Sequence, residues 1–272
     1  MSTNRANLLM LIPPLIWGVA FVYQKTGMGS IGPFTFSFAR FFFALVTVLP
    51  LAILFEQNNF KIIFSSKRYS YLCFITGFFL FCGMGLQQYA LQISLVSNVA
   101  FLSTLYVPIV ALISKFFFKK QFHWVVWIAV LLCLYGSYLL SSNQSLEIQK
   151  SDSLLFIAAL SFALHIIFID IFMKELNSPF IFGSVQYFIV FLFSLVIALM
   201  FENPNFTNIR IEWFEILFTG ILSAGIGYTL QIIAQQKANP APAAVILSME
   251  SVFAAIAGWY MINEILDQNK IY

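Results

Sequence analysis

Two ionisable side chains, those of Arg40 and Glu250, stand inside long apolar runs of the sequence. A charge in such surroundings costs several kcal/mol unless it is paired, meets water or reaches an interface. A guanidinium can hold a carboxylate through paired hydrogen bonds, and a carboxyl group can carry a proton or accept from an amine. Arg40 therefore either snorkels to a membrane interface or binds an anionic group in a cavity. Glu250 either couples protons or binds a substrate amine, or it anchors neighbouring helices.

Five further residues could take part in the same chemistry. His165 falls about twelve residues into its apolar run and either relays protons or is a neutral core histidine. The amides of Gln87 and Gln231 either join helices or line a polar path. The rings of Trp17 and Tyr228 either stack on an organic substrate or pack in the core. We take these five, with Arg40 and Glu250, as candidate substrate-binding or coupling residues.

The sequence lacks the residue patterns of common enzyme and metal sites. Cys73, Cys82 and Cys133 lie in apolar runs without Cys-x-x-Cys spacing, which predicts neither a disulfide nor a zinc site. No His-Glu-x-x-His, Gly-x-Ser-x-Gly or phosphate-binding loop motif occurs. We therefore expect no enzymatic activity, no cofactor and no hydrolysis of ATP by this chain.

These residues must be positioned by elements that cross a membrane. Of the 272 residues, 61% are apolar and 9% charged, whereas soluble domains have about 45–50% and about 25%. Long apolar runs with short polar breaks are typical of membrane-spanning helices, and they are too long for barrel strands. The nine predicted spans cover residues 8–25, 33–55, 70–91, 97–115, 122–141, 153–173, 179–201, 213–236 and 241–262.

The distribution of Lys and Arg predicts the orientation of these spans. Nine of the basic residues fall on the side of the N-terminus and four on the other side, with Arg40 inside a span. This predicts a multi-pass protein of the inner or plasma membrane with a cytoplasmic N-terminus. A net charge of +3 without a basic stripe argues against a nucleic-acid partner and leaves the lipid bilayer as the surroundings. The oligomeric state is not set by the sequence, which allows a homodimer.

The sequence also repeats itself at an interval close to 145 residues. The motif Leu86-Gln87-x-x-Ala90-x-Gln92 recurs as Leu230-Gln231-x-x-Ala234-x-Gln236, and Leu102-Ser103 recurs as Leu247-Ser248. Weaker matches pair Trp17 with Phe162 and Arg40 with Gln186, and glycines precede both Leu-Gln motifs as Gly83-x-Gly85 and Gly225-x-Gly227. The chain is therefore expected to contain two repeats, residues 1–143 and 144–272.

The number of spans per repeat predicts how the two copies are related. Five spans in the first copy make the second enter the membrane from the opposite side, an inverted-topology repeat of the kind that transporters use. The counterpart of the fifth span would begin near residue 267, close to the last residue, Tyr272. We expect an all-α protein of two inverted five-helix repeats, with nine spans present and the tenth missing.

Several segments together resemble the EamA-like family of the drug/metabolite transporter superfamily. They are Leu15-Ile16-Trp17-Gly18, Ala39-Arg40-Phe41, Ala234-Gln235, Pro240 to Ala244, Met249 to Phe253 and Asn263-Glu264. Ser251 stands where the family often has proline, which weakens the case for a kink there, and Lys119 stands where the first repeat often ends in an acid. The resemblance implies ten helices around a central cavity and export or exchange of small metabolites across the inner or plasma membrane.

Three functions follow from these observations in decreasing order of support. The first is a secondary transporter that exports or exchanges small organic molecules such as amino acids by alternating access. The second is a non-transporting or truncated, inactive membrane protein derived from such a transporter. The third, a membrane-embedded enzyme, lacks a nucleophile or metal set in the sequence.

Overall fold

A computed structural model describes residues 3–141 and 150–264 of the chain. Within these ranges the chain forms helices and no strands, so the predicted all-α class is confirmed. The boundary expected between residues 143 and 144 lies outside the described residues, and so do the last residues, near which the counterpart of the fifth span would begin.

The described helices follow the nine apolar runs. Eight are long and apolar enough to cross a membrane, and one shorter apolar helix lies between the fourth and the sixth. In chain order they are α1 Asn4–Thr26, α2 Pro33–Ser65, α3 Lys67–Ile93, α4 Val96–Phe116, α5 Trp124–Ser141, α6 Ser151–Glu175, α7 Pro179–Phe201, α8 Trp213–Gln235 and α9 Pro240–Ile262. Eight of these helices begin and end within a few residues of their predicted spans.

The exception is α2, which is about ten residues longer than predicted. Its backbone leaves helical geometry at Glu56 (φ −129°, ψ 17°) and then resumes a helix to Ser65. The polar residues after Glu56 suggested a loop, but they form an exposed helical face while Ile63 is fully buried in an apolar cluster. Burial of one apolar side of this extension outweighs its polar composition.

Two helices are interrupted where proline removes a backbone donor. α1 has a turn at Met10 and Leu11, just before Pro13 and Pro14, and α4 is broken between Ser103 and Tyr106. Proline cannot donate to the carbonyl four residues earlier and its ring crowds that carbonyl. For Pro108 the affected residue is Thr104, which lies inside the break. Pro13, Pro14 and Pro108 thus account for the two interruptions.

α9 is also interrupted, at Ser248 and Met249, although no proline causes it. The Ser251 hydroxyl donates to the Ser248 carbonyl at 2.8 Å, and the Ser248 hydroxyl donates to the Val245 carbonyl at 2.8 Å. Serine hydroxyls that bond back to the preceding turn compete with helical hydrogen bonds and bend helices. The helix is therefore broken near Ser251, although serine in place of the family's proline had weakened the case for a kink there.

The helices pack so that the middle of the described structure is enclosed. α2 runs along α7, α3 lies against α6 and α7, and α8 lies against α1 and α2. α1 also packs closely on α9, because Gly18 faces the backbone of Phe253 and Ala254 and a side chain there would clash. Small residues at such crossings allow close helix approach in membranes.

Carboxylates close the ends of the α2–α7 pair in a matching way. Glu202 accepts from the backbone N–H groups of Phe34 and Thr35 (2.9 and 2.7 Å) at the start of α2. Glu56 accepts from those of Phe180 and Ile181 (3.1 and 2.8 Å) at the start of α7. Glu56 lies 146 positions before Glu202, and Phe180 and Ile181 lie 146 positions after Phe34 and Thr35. We call the two contacts the carboxylate clasps.

A third carboxylate, that of Glu264, accepts from the N–H groups of Val96 and Ser97, both at 2.9 Å, at the start of α4. Helix N-termini carry unsatisfied N–H groups and partial positive charge, so a carboxylate is favourable at each of these three sites. These contacts fix the ends of the helices that carry the central residues.

Candidate functional site

A cavity lies at the centre of the helices, and all seven residues singled out from the sequence line it. They are Trp17, Arg40, Gln87, His165, Tyr228, Gln231 and Glu250. The centre of a water molecule can occupy about 40 Å³ of this cavity. Since a water needs roughly 10–15 Å³ by this measure, the space suits about three waters, and an organic molecule would require the helices to separate.

Arg40 is buried in this cavity rather than extended to a membrane interface. Its side chain is 1% exposed, and its guanidinium carbon lies 5.0 Å from the centre of the Phe41 ring. Nη2 lies 3.9 Å from the sulfur of Met84, while Nε and Nη1 have no hydrogen-bond partner among the described residues. The cation thus has most of its donors free, in surroundings where it cannot be well hydrated.

Glu250 lies at the break in α9, as the first residue of its second segment. Its carboxyl group is buried and accepts a hydrogen bond from the Tyr106 hydroxyl at 3.2 Å. Tyr106 is likewise the first residue after the break in α4. The two residues are 144 positions apart, the offset of the Leu-Gln motif, and they meet across the cavity.

His165 is held by an amide from α7. Its Nε2 lies 2.8 Å from Oε1 of Gln186, and Nε2 of Gln186 donates to the Phe182 carbonyl at 3.1 Å. This arrangement of the amide makes Nε2 of the imidazole the donor. Gln186, which the sequence matched to Arg40, therefore orients a cavity residue.

The two repeat-related glutamines have different partners. Gln87 donates to the Ser103 hydroxyl at 2.8 Å and so joins α3 to α4. Gln231 donates to Gln235 at 2.9 Å, and its own oxygen has no partner among the described residues. Gln87 thus joins two helices, whereas Gln231 offers a free acceptor to the cavity.

Trp17 and Tyr228 pack on each other at the wall of the cavity. Their ring centres are 4.7 Å apart, and the Trp17 indole donates to the Ser223 carbonyl at 3.1 Å. Ser223 belongs to a π-helical segment, Phe218–Tyr228, within α8. Such segments are rare in proteins as a whole, but those that occur are often at functional sites. Here the Ser223 carbonyl of the segment accepts from the Trp17 indole.

The sequence did not single out the remaining lining residues as site residues: Phe21, Gln24, Met84, Tyr106, Phe162, Ile166, Ser223 and Leu247. An apolar or aromatic residue in an apolar run gives no contrast with its neighbours. The repeat could have found three of them, because Phe162 is matched to Trp17, and Met84 and Tyr106 stand 144 positions before Tyr228 and Glu250 and bond to those same residues.

Apolar helices that surround a buried cation, a carboxyl group and free amide groups define a membrane protein with a small polar cavity at its centre. The chain belongs to the EamA-like transporter family, whose model matches residues 4–142 and 149–271. It is therefore a membrane transporter, and the resemblance found in the sequence is confirmed.

Individual relatives agree with this assignment. An uncharacterized transporter of Archaeoglobus fulgidus is 29% identical over 96% of this chain and 79% of its own length. An S-adenosylmethionine uptake transporter of Rickettsia prowazekii is 24% identical over 97% of this chain and 86% of its own. A solved crystal structure shares the fold with a TM-score of 0.74 and 14% identity, covering 98% of this chain and 92% of that one.

Proposed function

We propose that the protein transports small organic molecules that carry an anionic group, such as amino acids, by alternating access. The observation that carries this proposal is the buried Arg40 guanidinium, which lines the cavity with two nitrogens unpartnered among the described residues. A buried cation without an anion is strongly unfavourable. A substrate carboxylate would offset this cost through charge-assisted hydrogen bonds.

Other lining residues of the cavity suit a substrate that also has a donor group. The Glu250 carboxyl group and the unpartnered oxygens of Gln24 and Gln231 are acceptors that line the same space. An amine or ammonium group could donate to them, with Glu250 as its counter-charge or as the proton carrier. Trp17 and Tyr228 supply aromatic surface for the rest of the molecule.

The two-repeat organisation would supply the movement. We propose that residues 1–143 and 144–272 are inverted repeats which rock around the cavity, as in other transporters built this way. Two family matches in tandem and the paired carboxylate clasps, 146 positions apart, support this view. The breaks in α4 and α9, which lie at or just after the repeated Leu-Ser dipeptides, are the natural places for bending.

Orientation and direction belong to the same proposal. The excess of Lys and Arg on the N-terminal side favours a cytoplasmic N-terminus in an inner or plasma membrane. We propose export or exchange driven by a gradient. The Rickettsia relative is named for uptake, so net flux has to be measured separately from binding.

Counterflow in proteoliposomes tests the proposal. Liposomes preloaded with mixed amino acids and metabolites should accumulate an equimolar mixture of radiolabelled amino acids in a saturable way. Arg40→Ala should raise KM for these carboxylates at least about tenfold, because a hydrogen bond to a charged group is worth about 1.5–3 kcal/mol. Amino-acid carboxamides should be affected much less.

The matched control is Arg210→Ala, since Arg210 is exposed on the short helix Phe206–Ile211 and does not line the cavity. Its kinetics should equal those of the wild type. Equal losses for carboxylates and carboxamides in Arg40→Ala would assign Arg40 a folding role. No saturable exchange by the wild-type chain would favour an inactive relative of such transporters.

A further inference from the structure

Two hydrogen-bond donors of the cavity point at one sulfur atom. The Tyr228 hydroxyl donates to the Met84 sulfur at 2.9 Å, and Nη2 of Arg40 lies 3.9 Å from the same atom. A thioether is a weak acceptor and carries no charge. The Tyr228 phenol and the Arg40 guanidinium thus converge on a weak acceptor. At the same point both could donate to an oxyanion.

We propose that Arg40 and Tyr228 form a single carboxylate subsite, and that the Met84 thioether occupies it until a carboxylate displaces that side chain. This inference rests on the proposed transport function. It makes Tyr228 a substrate-binding residue and Met84 a specificity-determining residue, roles that cavity lining alone does not give them.

The two donors are held in place by their surroundings. The Tyr228 ring packs on Trp17 at 4.7 Å and meets the His165 ring edge-on at 6.0 Å. The backbone of Arg40 lies against Gly220, where a Cβ atom would come within 2.6 Å of the Arg40 carbonyl oxygen. Close contact with α8 thus fixes the start of the arginine side chain, and two rings fix the phenol.

The acceptor, the Met84 thioether, can move more easily than the two donors. Methionine is unbranched with a soft sulfur and three rotatable bonds, so it can leave a position at low cost. Met84 lines the cavity, so its side chain has open space beside it into which the sulfur can move. An incoming anion would therefore move the thioether and leave both donors where they are.

The charges of the cavity favour a monoanionic carboxylate over a phosphate. Among the described residues that line it, Arg40 is the only Lys or Arg and Glu250 the only Asp or Glu. A single cation can neutralise one carboxylate. A phosphate dianion would leave a charge unpaired near Glu250, which is costly in a medium of low dielectric constant.

The test compares two substitutions of Met84 that are alike in shape and differ in charge. Met84→Glu supplies a tethered carboxylate at the subsite, and Met84→Gln supplies a neutral side chain of the same length. In counterflow with radiolabelled amino acids, KM should be at least tenfold higher in Met84→Glu than in Met84→Gln. With the corresponding carboxamides, the two variants should agree within threefold.

Tyr228→Phe provides a second variant that does not add a charge. It should raise KM for the amino acids about five- to tenfold and leave kcat within twofold. The control is Tyr260→Phe, because Tyr260 is 80% exposed on the outer face of α9 and should behave as the wild type. If Met84→Glu does not fold, as judged by size-exclusion chromatography, Tyr228→Phe decides the question.

The outcomes separate this inference from the proposed function. Equal KM values for Met84→Glu and Met84→Gln, or an unchanged KM in Tyr228→Phe, would overturn the shared subsite while wild-type transport and its dependence on Arg40 stand. Strong competition by inorganic phosphate against amino-acid uptake would overturn the preference for carboxylates. Absence of saturable uptake by the wild-type protein would overturn both proposals together.

Discussion

The side chains of the cavity differ in how well their hydrogen-bonding groups are satisfied. Gln87, His165 and Gln186 have protein partners at 2.8 Å, whereas Arg40 and Gln231 keep free atoms among the described residues. Buried polar atoms are nearly always hydrogen-bonded, so the unpartnered ones mark where a ligand or water binds. We therefore propose Arg40 and Gln231, with Gln24, as binding groups, and Gln87, His165 and Gln186 as supports.

Glu250 is the residue whose substitution tests coupling. If its carboxyl group carries the transported proton, Glu250→Gln should remove the pH dependence of transport, since an amide cannot titrate. Exchange of one substrate molecule for another should persist in this variant. The measurement is the initial rate of amino-acid uptake in proteoliposomes under imposed pH gradients of both signs.

Glu175→Gln is the control for this experiment, because Glu175 forms an ion pair with Arg68 far from the cavity. It should keep the pH dependence of the wild type. A Glu250→Gln transporter that still responded to the pH gradient would remove Glu250 from the coupling mechanism and leave it as the acceptor of the Tyr106 hydroxyl.

At this scale the sequence was informative only where a residue contrasted with its neighbours. Arg40, Glu250 and His165 stood out because ionisable groups are rare in membrane spans. Met84 did not, because its side chain is as apolar as the run that contains it. Its contact with Arg40 depends on the packing of α3 against α2, which no local pattern encodes.

The helices are held at their ends by charge as well as by packing. The two carboxylate clasps each place a glutamate on two N–H groups at the start of a partner helix. Hydrogen bonds to charged groups contribute about 1.5–3 kcal/mol, and the helix dipole adds to them. α2 begins two turns before Arg40, so the Glu202 clasp also fixes the segment that carries the guanidinium.

Removing one charge from a clasp should destabilise the protein measurably. Glu56→Gln and Glu202→Gln should each cost about 1–2 kcal/mol, because an amide offers one neutral oxygen where the carboxylate offers two charged ones. Each should lower the midpoint of thermal unfolding by a few degrees. The measurement is the unfolding of purified protein in detergent, followed by intrinsic fluorescence.

Symmetry supplies an internal check on this prediction. The two variants should have similar effects, since the clasps use equivalent residues, while Glu175→Gln should have little effect because its ion pair is exposed. Unfolding midpoints equal to that of the wild type in both clasp variants would show that these contacts do not stabilise the α2–α7 pair.

The helices themselves were largely predictable, and their irregularities were predictable in part. Apolar run length determines where a helix must cross the bilayer, so the bounds of eight of the nine helices matched closely. Prolines marked the interruptions of α1 and α4. The break in α9 accompanies serine hydroxyls that bond within their own helix, a local signal weaker than proline, whereas the extension of α2 beyond Glu56 depends on packing between helices.

In the molecule as a whole, the contacts at the centre are made by residues at equivalent positions of the sequence repeat. Tyr106 bonds to Glu250 and Met84 to Tyr228, and both pairs are 144 residues apart. In the proposed inverted repeat, residues of the two copies touch their own counterparts only near the axis that relates the copies. We therefore propose that the cavity lies on that axis, where a rocking motion of two halves would expose it to either side in turn.

Equilibrium binding tests most directly whether this central cavity binds a substrate through Arg40. Radiolabelled amino acids should bind saturably to the purified wild-type protein in detergent, with free amino acids as effective competitors and their carboxamides at least tenfold weaker. Arg40→Ala should abolish this preference and weaken binding at least tenfold. Saturable binding of unchanged affinity in Arg40→Ala, or equal competition by the carboxamides, would contradict the account.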